Sequence, residues 1–352
     1  MTQEKQSKKE IVDLTKPSQE RILGVDIGTM NIVTAEKKED KCSFSIMRNM
    51  FLPLDKEQLN MAELSNIDFI ESDEKIYIIG ADAFNFSNIF GKTVNRPMYK
   101  GLVSPLEIDS LDVLSLIIEK MVGKTTAGKI IYGVPAVSVD MQNSIIYHEG
   151  ILKRIFNNLG YYAESFNEAQ AIIYSNCQEN QFTGLAFSFG AGMVNTVLSY
   201  RSVPVISFSV ARAGDWVDEQ SGLSLNIVPN RITKVKECSM NLEDFQSGNK
   251  KERRIRECIV YYYREMIRYT MDRIKEKLSE SAGNIELPES LSIVISGGTS
   301  MATGFLPLFN QVLSEYKDNF PIKIKDVRLA EDPMTAVAEG LLIKALSKFK
   351  KE

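Results

Sequence analysis

The groups best suited to chemistry sit in three glycine-centred strings spread widely along the chain. They are Val25-Asp26-Ile27-Gly28-Thr29-Met30-Asn31, Phe187-Ser188-Phe189-Gly190-Ala191-Gly192-Met193 and Ser296-Gly297-Gly298-Thr299-Ser300-Met301. Each follows an apolar, β-branched run that predicts a buried strand. Glycines at a strand-to-strand turn leave backbone N–H groups open to an anion with no side chain in the way, which suits phosphate. Asp26, at the end of its strand, could hold the hydrated magnesium that accompanies phosphates. Two such turns facing each other can clamp a triphosphate, and a third can cover a base. A single string of this kind reads better as a bare tight turn, so the argument rests on all three and their order.

Other chemistries find little support. His148 is the only histidine, which argues against Ser-His-Asp, Cys-His and multi-histidine metal sites. It falls in a helical pattern and reads as structural or surface. Cys42, Cys177, Cys238 and Cys258 are far apart with no CxxC pair, against a zinc site or disulfide framework and in keeping with a reducing compartment. Gly91-Lys92-Thr93 and Gly123-Lys124-Thr125 look like the end of a P-loop. The glycine required upstream is missing, with Phe86 and Ile118 in its place.

The elements that would carry the strings alternate between strand and helix. Residues 1–19 are polar and aperiodic and read as a disordered tail. Ile22–Val25 leads into the first turn, and Ile32–Ala35 returns as its hairpin partner. Residues 36–75 read as a small inserted subdomain. Ile76–Gly80 predicts a strand, Leu111, Leu114, Ile117, Ile118 and Met121 a helix capped by Asp109 or Ser110, and Ile130–Pro135 another buried strand. The next helix places Ile145, Ile146, Ile151, Leu152 and Ile155 on one face. Glu168–Cys177 is a short helix, and a strand at Leu185–Phe187 enters the second turn. Ser247-Gly248-Asn249 signals a loop. A long helix over Ile255–Leu278 carries a stripe of Ile259, Tyr263, Ile267, Met271 and Ile274; its Tyr261-Tyr262-Tyr263 cluster reads as packing. A strand at Leu291–Ile295 enters the third turn, Ile322-Lys323-Ile324 is a last strand, and the final helix begins near Pro333. The pattern is α/β, with strand–glycine turn–hairpin appearing once in each half.

A 352-residue chain with 44% hydrophobic residues can bury a large core and fits two or more domains. Its net charge of -4 gives no basic footprint for nucleic acid, Lys250-Lys251-Glu252-Arg253-Arg254 being a local exception. No apolar run reaches the roughly 18 residues of a membrane span, and the first residues do not resemble a signal peptide, so a cytoplasmic protein is expected.

Taken together, the strings resemble the actin-like ATPase superfamily, and among its members the bacterial actins of the MreB and MamK kind. The resemblance runs from about Arg21 to Phe349. Asp26-Ile27-Gly28-Thr29 is similar to the first phosphate loop and Gly190-Ala191-Gly192 to the second. Arg96-Pro97-Met98 with Gly101 and Val103 resembles a stretch typical of MreB, and Gly133-Val134-Pro135-Ala136 the strand before the first connecting helix. Gly214-Asp215 with Asp218-Glu219 resembles the helix start near the ribose. Gly297-Gly298-Thr299-Ser300-Met301 with Gly304 resembles the adenosine loop, and Asp332-Pro333 with Ala336-Val337-Ala338 and Gly340 the start of the last helix.

The resemblance implies an actin/chaperone-ATPase-like fold, with two α/β domains around a cleft for ATP or ADP and Mg2+. Domain I would span 21–178 plus 322–352, and domain II 179–321 with its outer subdomain shortened to about 237–254. Asp26 would hold magnesium through water. Thr29, Met30 and Asn31 would face the phosphates beside Gly28, with Gly190, Ala191, Gly192 and Met193 opposite. Gly214, Asp215 and Asp218 would lie near the ribose. Lys236 would flank the adenine, and Gly297, Gly298, Thr299 and Met301 would close over it. Glu168 would orient an attacking water, its alternative reading being an ordinary helix-start glutamate.

The resemblance also implies a self-assembling filament protein with adaptor or membrane-associated partners. A monomeric adaptor on the same fold is the competing reading, and a metabolic kinase of the superfamily is a weaker third. The terminal helix, with Leu341, Leu342, Ile343, Leu346 and Phe349 among lysines, could pack on domain I or lie on a membrane. The pattern breaks in the second loop. Ser188 stands where the family has an aspartate, Met193 and Val194 replace threonines, and Asn195 replaces an aspartate. Thr233 stands where a glutamate is common, and Ala169 replaces a proline. Serine cannot supply the electrostatics of the acid, so slow or lost hydrolysis is expected.

Overall fold

The computed structural model describes residues 21–39, 41–55, 67–71, 75–90, 92–104, 109–142, 145–246, 249–281, 290–317 and 320–350. The tail expected at 1–20, residue 91 of the first GKT string and residues 247 and 248 of the expected loop lie outside them.

In chain order the first strands are β1 (Arg21–Ile27), β2 (Asn31–Lys38), β3 (Lys41–Arg48), β4 (Phe51–Leu54), β5 (Phe69–Glu71) and β6 (Ile76–Ile79). Helix α1 (Gly80–Phe90), the hairpin β7 (Met98–Tyr99) and β8 (Leu102–Val103), and helix α2 (Ser110–Val122) follow. Then come β9 (Gly128–Val134), α3 (Ile145–Asn158), β10 (Tyr161–Asn167) and α4 (Glu168–Asn176). The second half begins with β11 (Gly184–Phe189), β12 (Val194–Tyr200) and β13 (Val203–Val210), then α5 (Gly214–Leu225), α6 (Pro229–Ser239) and α7 (Lys250–Ser281). It closes with β14 (Ser290–Ser296), α8 (Phe305–Ser314), β15 (Lys323–Leu329) and α9 (Ala336–Phe349).

Two five-stranded sheets share one topology, β3-β2-β1-β9-β10 and β13-β12-β11-β14-β15. In each, an antiparallel meander of three strands is followed by two strands added in parallel beside the first. Parallel strands need crossovers and so are covered on both faces, which explains their continuous apolar runs. Ile130, Ile131 and Tyr132 in β9 and Ile293, Val294 and Ile295 in β14 are all buried.

Helices α4 and α9 lie between the two sheets. Ala171, Ile172 and Ile173 from α4 and Ala338, Leu341 and Leu342 from α9 form one core with Val33 and Ile131 of the first sheet and Ala186, Val197 and Val294 of the second. The helices meet where their side chains are small. A Cβ on Gly340 would stand 1.8 Å from the Ala171 carbonyl oxygen, so only glycine permits this approach. The outer face of the first sheet packs on α2 and α3, with Leu114, Ile117, Leu152 and Phe156 buried. That of the second packs on α5, α7 and α8, through Val217, Ile259, Ile267 and Phe309.

The structure corrects several expectations. The inserted unit is the small sheet β4-β6-β5 rather than residues 36–75, because β2 and β3 pair from Asn31↔Arg48 to Lys38↔Lys41 within the first sheet. Residues 322–329 do not belong to domain I: β15 pairs parallel with β14 and extends the second sheet, and the chain returns to the first only with α9. In α3, Ile146 is 82% exposed and His148 is buried in its place. Ile151, Leu152 and Ile155 are buried as expected, so the stripe fails only in its first turn. The last helix spends its apolar face on the core, through Leu341, Leu342, Ala345 and Phe349. Among the described residues no helix is long and apolar enough to cross a membrane.

Candidate functional site

A cleft of about 390 Å³ opens between the two sheets at the ends of β1 and β11. The turns beyond these strands are built alike. Gly28 N–H donates to the Asn31 carbonyl at 2.9 Å, and Gly190 N–H donates to the Met193 carbonyl at 2.9 Å. Across their hairpins Asp26 faces Val33 and Ser188 faces Asn195. Gly192 sits where the halves touch: a Cβ there would meet Thr29 Oγ1 at 2.3 Å and Gly101 N at 2.4 Å.

Most of the residues expected at the site do line the cleft: Asp26, Gly28, Thr29, Met30, Asn31, Glu168, Gly190, Ala191, Gly192, Met193, Lys236, Gly297, Gly298, Thr299 and Met301. Gly214, Asp215 and Asp218 do not. Gly214 and Asp215 open α5 behind the second turn, donating their N–H groups to the Gly190 and Ala191 carbonyls at 3.1 and 2.8 Å. The Asp215 carboxylate is held by Arg96 Nη1 at 2.8 Å. Asp218 is buried and accepts from Lys236 Nζ at 2.7 Å and from Thr233 Oγ1 at 2.8 Å. Burial outweighs the neighbouring lysine and holds its carboxyl above the usual range. Thr233, where a glutamate was expected, thus serves Asp218.

Arg48, Gly101, Asn195, Glu237, Tyr263 and Met334 also line the cleft and were not assigned to it from sequence. Glu237 pairs with Arg48 at 2.5 Å, joining α6 to the end of β3 across the mouth. The only sequence signal for Glu237 is its position beside Lys236, and nothing local marks Arg48.

Two carboxyls form the floor. Asp26 and Glu168 converge beside Gly133. Asn195 Nδ2 donates to Glu168 Oε2 at 2.8 Å, and Asn195 Oδ1 accepts from Ala136 N–H at 3.0 Å. Burial pushes the Asp26 carboxyl up to about 7. Burial, and secondarily the charge of Asp26, pushes Glu168 well above the carboxylate range. Among the described residues no lysine or arginine pairs with either acid. A buried acidic pair with no base fits a cation supplied from outside. No cluster of three or more metal-ligating side chains exists among the described residues.

By its two sheets of one topology, closing on a cleft with twin glycine turns and a third covering loop, the chain has an actin-like fold. More narrowly, it belongs to the Volactin family, which matches residues 22–345. Solved structures similar to it include the MamK double helical filament (14% identity, TM-score 0.60, 95% of this chain and 99% of that one). MreB5 of Spiroplasma citri bound to AMPPNP is similar too (14%, 0.61, 95% and 98%). So is the ethanolamine utilization protein EutJ from Carboxydothermus hydrogenoformans (13%, 0.52, 92% and 90%). A comparison with curated proteins finds no match.

Proposed function

We propose that this protein binds ATP and ADP with Mg2+ in the cleft and assembles with copies of itself into a cytoplasmic filament, with slow or absent hydrolysis. The observation that carries the reading is the pair of matched turns on facing sheets, over a floor that holds Asp26 and Glu168. The N–H groups of Thr29, Met30, Ala191 and Gly192 have no backbone acceptor among the described residues, as phosphate oxygens require. Asp26 would hold the magnesium through water. The ion, when bound, neutralises phosphate charge and polarises the terminal phosphoryl group. Lys236, braced by Asp218 and the Gly214 carbonyl, would flank the base, and Gly298, Thr299 and Met301 would cover it. The exposed Glu237, rather than Asp215 or Asp218, is the acid left at that end of the cleft.

Glu168 would orient the attacking water while Asn195 holds the other side of its carboxyl group. Ser188 offers no second charge to this step, which supports slow turnover. In this reading domain I comprises 21–178 with α9, and domain II runs from 179 through β15. Because α9 buries its apolar face, membrane contact would come through adaptor proteins. The monomeric adaptor remains a second reading, favoured by Ser188 and by the short connection between α6 and α7.

The test is electron microscopy of the purified protein with magnesium in ATP, in ADP and without nucleotide, with phosphate release followed in parallel. Nucleotide-dependent filaments are the expected result. ATP binding without filaments in any condition would favour the adaptor, and no nucleotide binding would overturn the site.

A further inference from the structure

The first phosphate turn is held from behind by one buried side chain. Asn49 lies between β3 and β4 and is fully buried. Its Nδ2 donates to the Gly28 carbonyl at 2.9 Å, and its backbone N–H donates to the Met30 carbonyl at 2.8 Å. The neighbouring backbone is fixed in turn. Gly80 N–H donates to the Met50 carbonyl at 3.1 Å, and Phe51 and Asn95 exchange two backbone hydrogen bonds of 2.9 Å. Asn49 therefore has a rigid mount at the junction of the first sheet and the small sheet.

In a trans peptide the carbonyl and the following N–H point in opposite directions. With the Gly28 carbonyl drawn toward Asn49, the Thr29 N–H points the other way, to the side where Thr29 lines the cleft. The second turn holds the corresponding carbonyl differently: Gly190 O accepts from Thr299 Oγ1 at 2.8 Å and from Gly214 N–H at 3.1 Å. Asn49 Oδ1 is buried with no partner among the described residues. An orphaned acceptor is unfavourable, so the donor end of the amide is what the fold uses.

We infer that Asn49 is a positioning residue for phosphate: its side-chain amide fixes the Gly28–Thr29 peptide with the N–H directed at the bound phosphates. The inference rests on the reading of the cleft as a nucleotide site, and its own content is that Asn49 acts on the phosphates and not on the nucleoside.

The experiment measures binding of ATP, ADP and adenosine, each with magnesium, to the full chain by calorimetry, with thermal melting in parallel. Asn49→Ala keeps the backbone donor to Met30 and removes only the amide. The expected result is at least a tenfold loss of ATP and ADP affinity with adenosine affinity unchanged within about twofold. Equal losses for all three ligands, or none, would overturn the inference in favour of a purely structural role. If the variant does not fold, the wild-type Thr29 amide resonance decides: it should move with ADP and ATP and stay in place with adenosine. A Thr29 resonance indifferent to phosphate would sink the proposal. Failure of wild-type protein to bind any of the three would overturn the nucleotide reading itself, and this inference with it.

Discussion

Asn195 of the second sheet donates its side-chain amide to Glu168, the first residue of α4, at 2.8 Å. Helix α4 is thus pinned at the floor of the cleft by a residue from the half whose turn carries Ser188 where the other carries Asp26. Replacing Glu168 by glutamine keeps an oxygen for Asn195 and removes the charge. Phosphate release should fall by about 10²-fold while ATP binding persists. Single-turnover assays check this, and wild-type rates in Glu168→Gln would remove Glu168 from the chemistry.

Ser188→Asp restores a carboxylate opposite Asn195. Turnover should rise if the rest of the floor is competent. Stability without magnesium should drop, since a third acid then shares a buried space with Asp26 and Glu168. Phosphate release unchanged by the substitution would argue that more than the missing acid limits hydrolysis.

The pH dependence follows from Asp26, whose carboxyl is pushed from 3.8 up to about 7 by burial. The unfolded chain releases this proton near 3.8 and the folded chain only near 7. In that window the folded state binds more protons, so stability falls as pH rises, then levels above about 7. Relative to Asp26→Asn, the wild type should lose on the order of 4 kcal/mol at most between pH 4 and 8 without ligand. Magnesium with nucleotide should recover stability most at the alkaline end. Parallel urea-denaturation profiles for the two proteins across this range would contradict the assignment.

Two ion pairs join the halves, Arg48–Glu237 at the cleft and Arg96–Asp215 behind the second turn, and they should differ in effect. Arg48–Glu237 is about one-third exposed on each side, so Arg48→Ala should cost no more than about 1 kcal/mol of stability. It should nevertheless speed nucleotide release, because the pair spans the mouth. Arg96 meets both Asp215 oxygens at 2.8 Å in a less exposed setting, and Arg96→Ala should cost about 2 kcal/mol. Denaturation midpoints and stopped-flow release of a fluorescent nucleotide separate the two roles.

The glycine turns and the strands entering them were legible in the sequence because their signals are local. A turn that needs bare backbone shows as glycine, and a strand buried on both faces shows as an apolar run. Assigning β15 to a sheet depends on pairing with β14, more than 25 residues earlier, which periodicity does not encode. The strand β3 shows only a weak alternation over Cys42–Ile46, because it is half-exposed and mixed in character, and its place in the first sheet depends on pairing with β2. The split at α5 is similar: Asp215 and Asp218 sit beside the right glycine, but Arg96 and Lys236 claim their carboxylates from elsewhere in the chain. Asn49 carries no signal at all, since its role exists only once β3 returns behind the first turn.

The close crossing of α4 and α9, with Gly340 against the Ala171 carbonyl, has a mechanical consequence. Contact there is backbone to backbone inside a packed apolar layer, so any side chain at position 340 would wedge α9 away from α4 and loosen both sheets from the core they share.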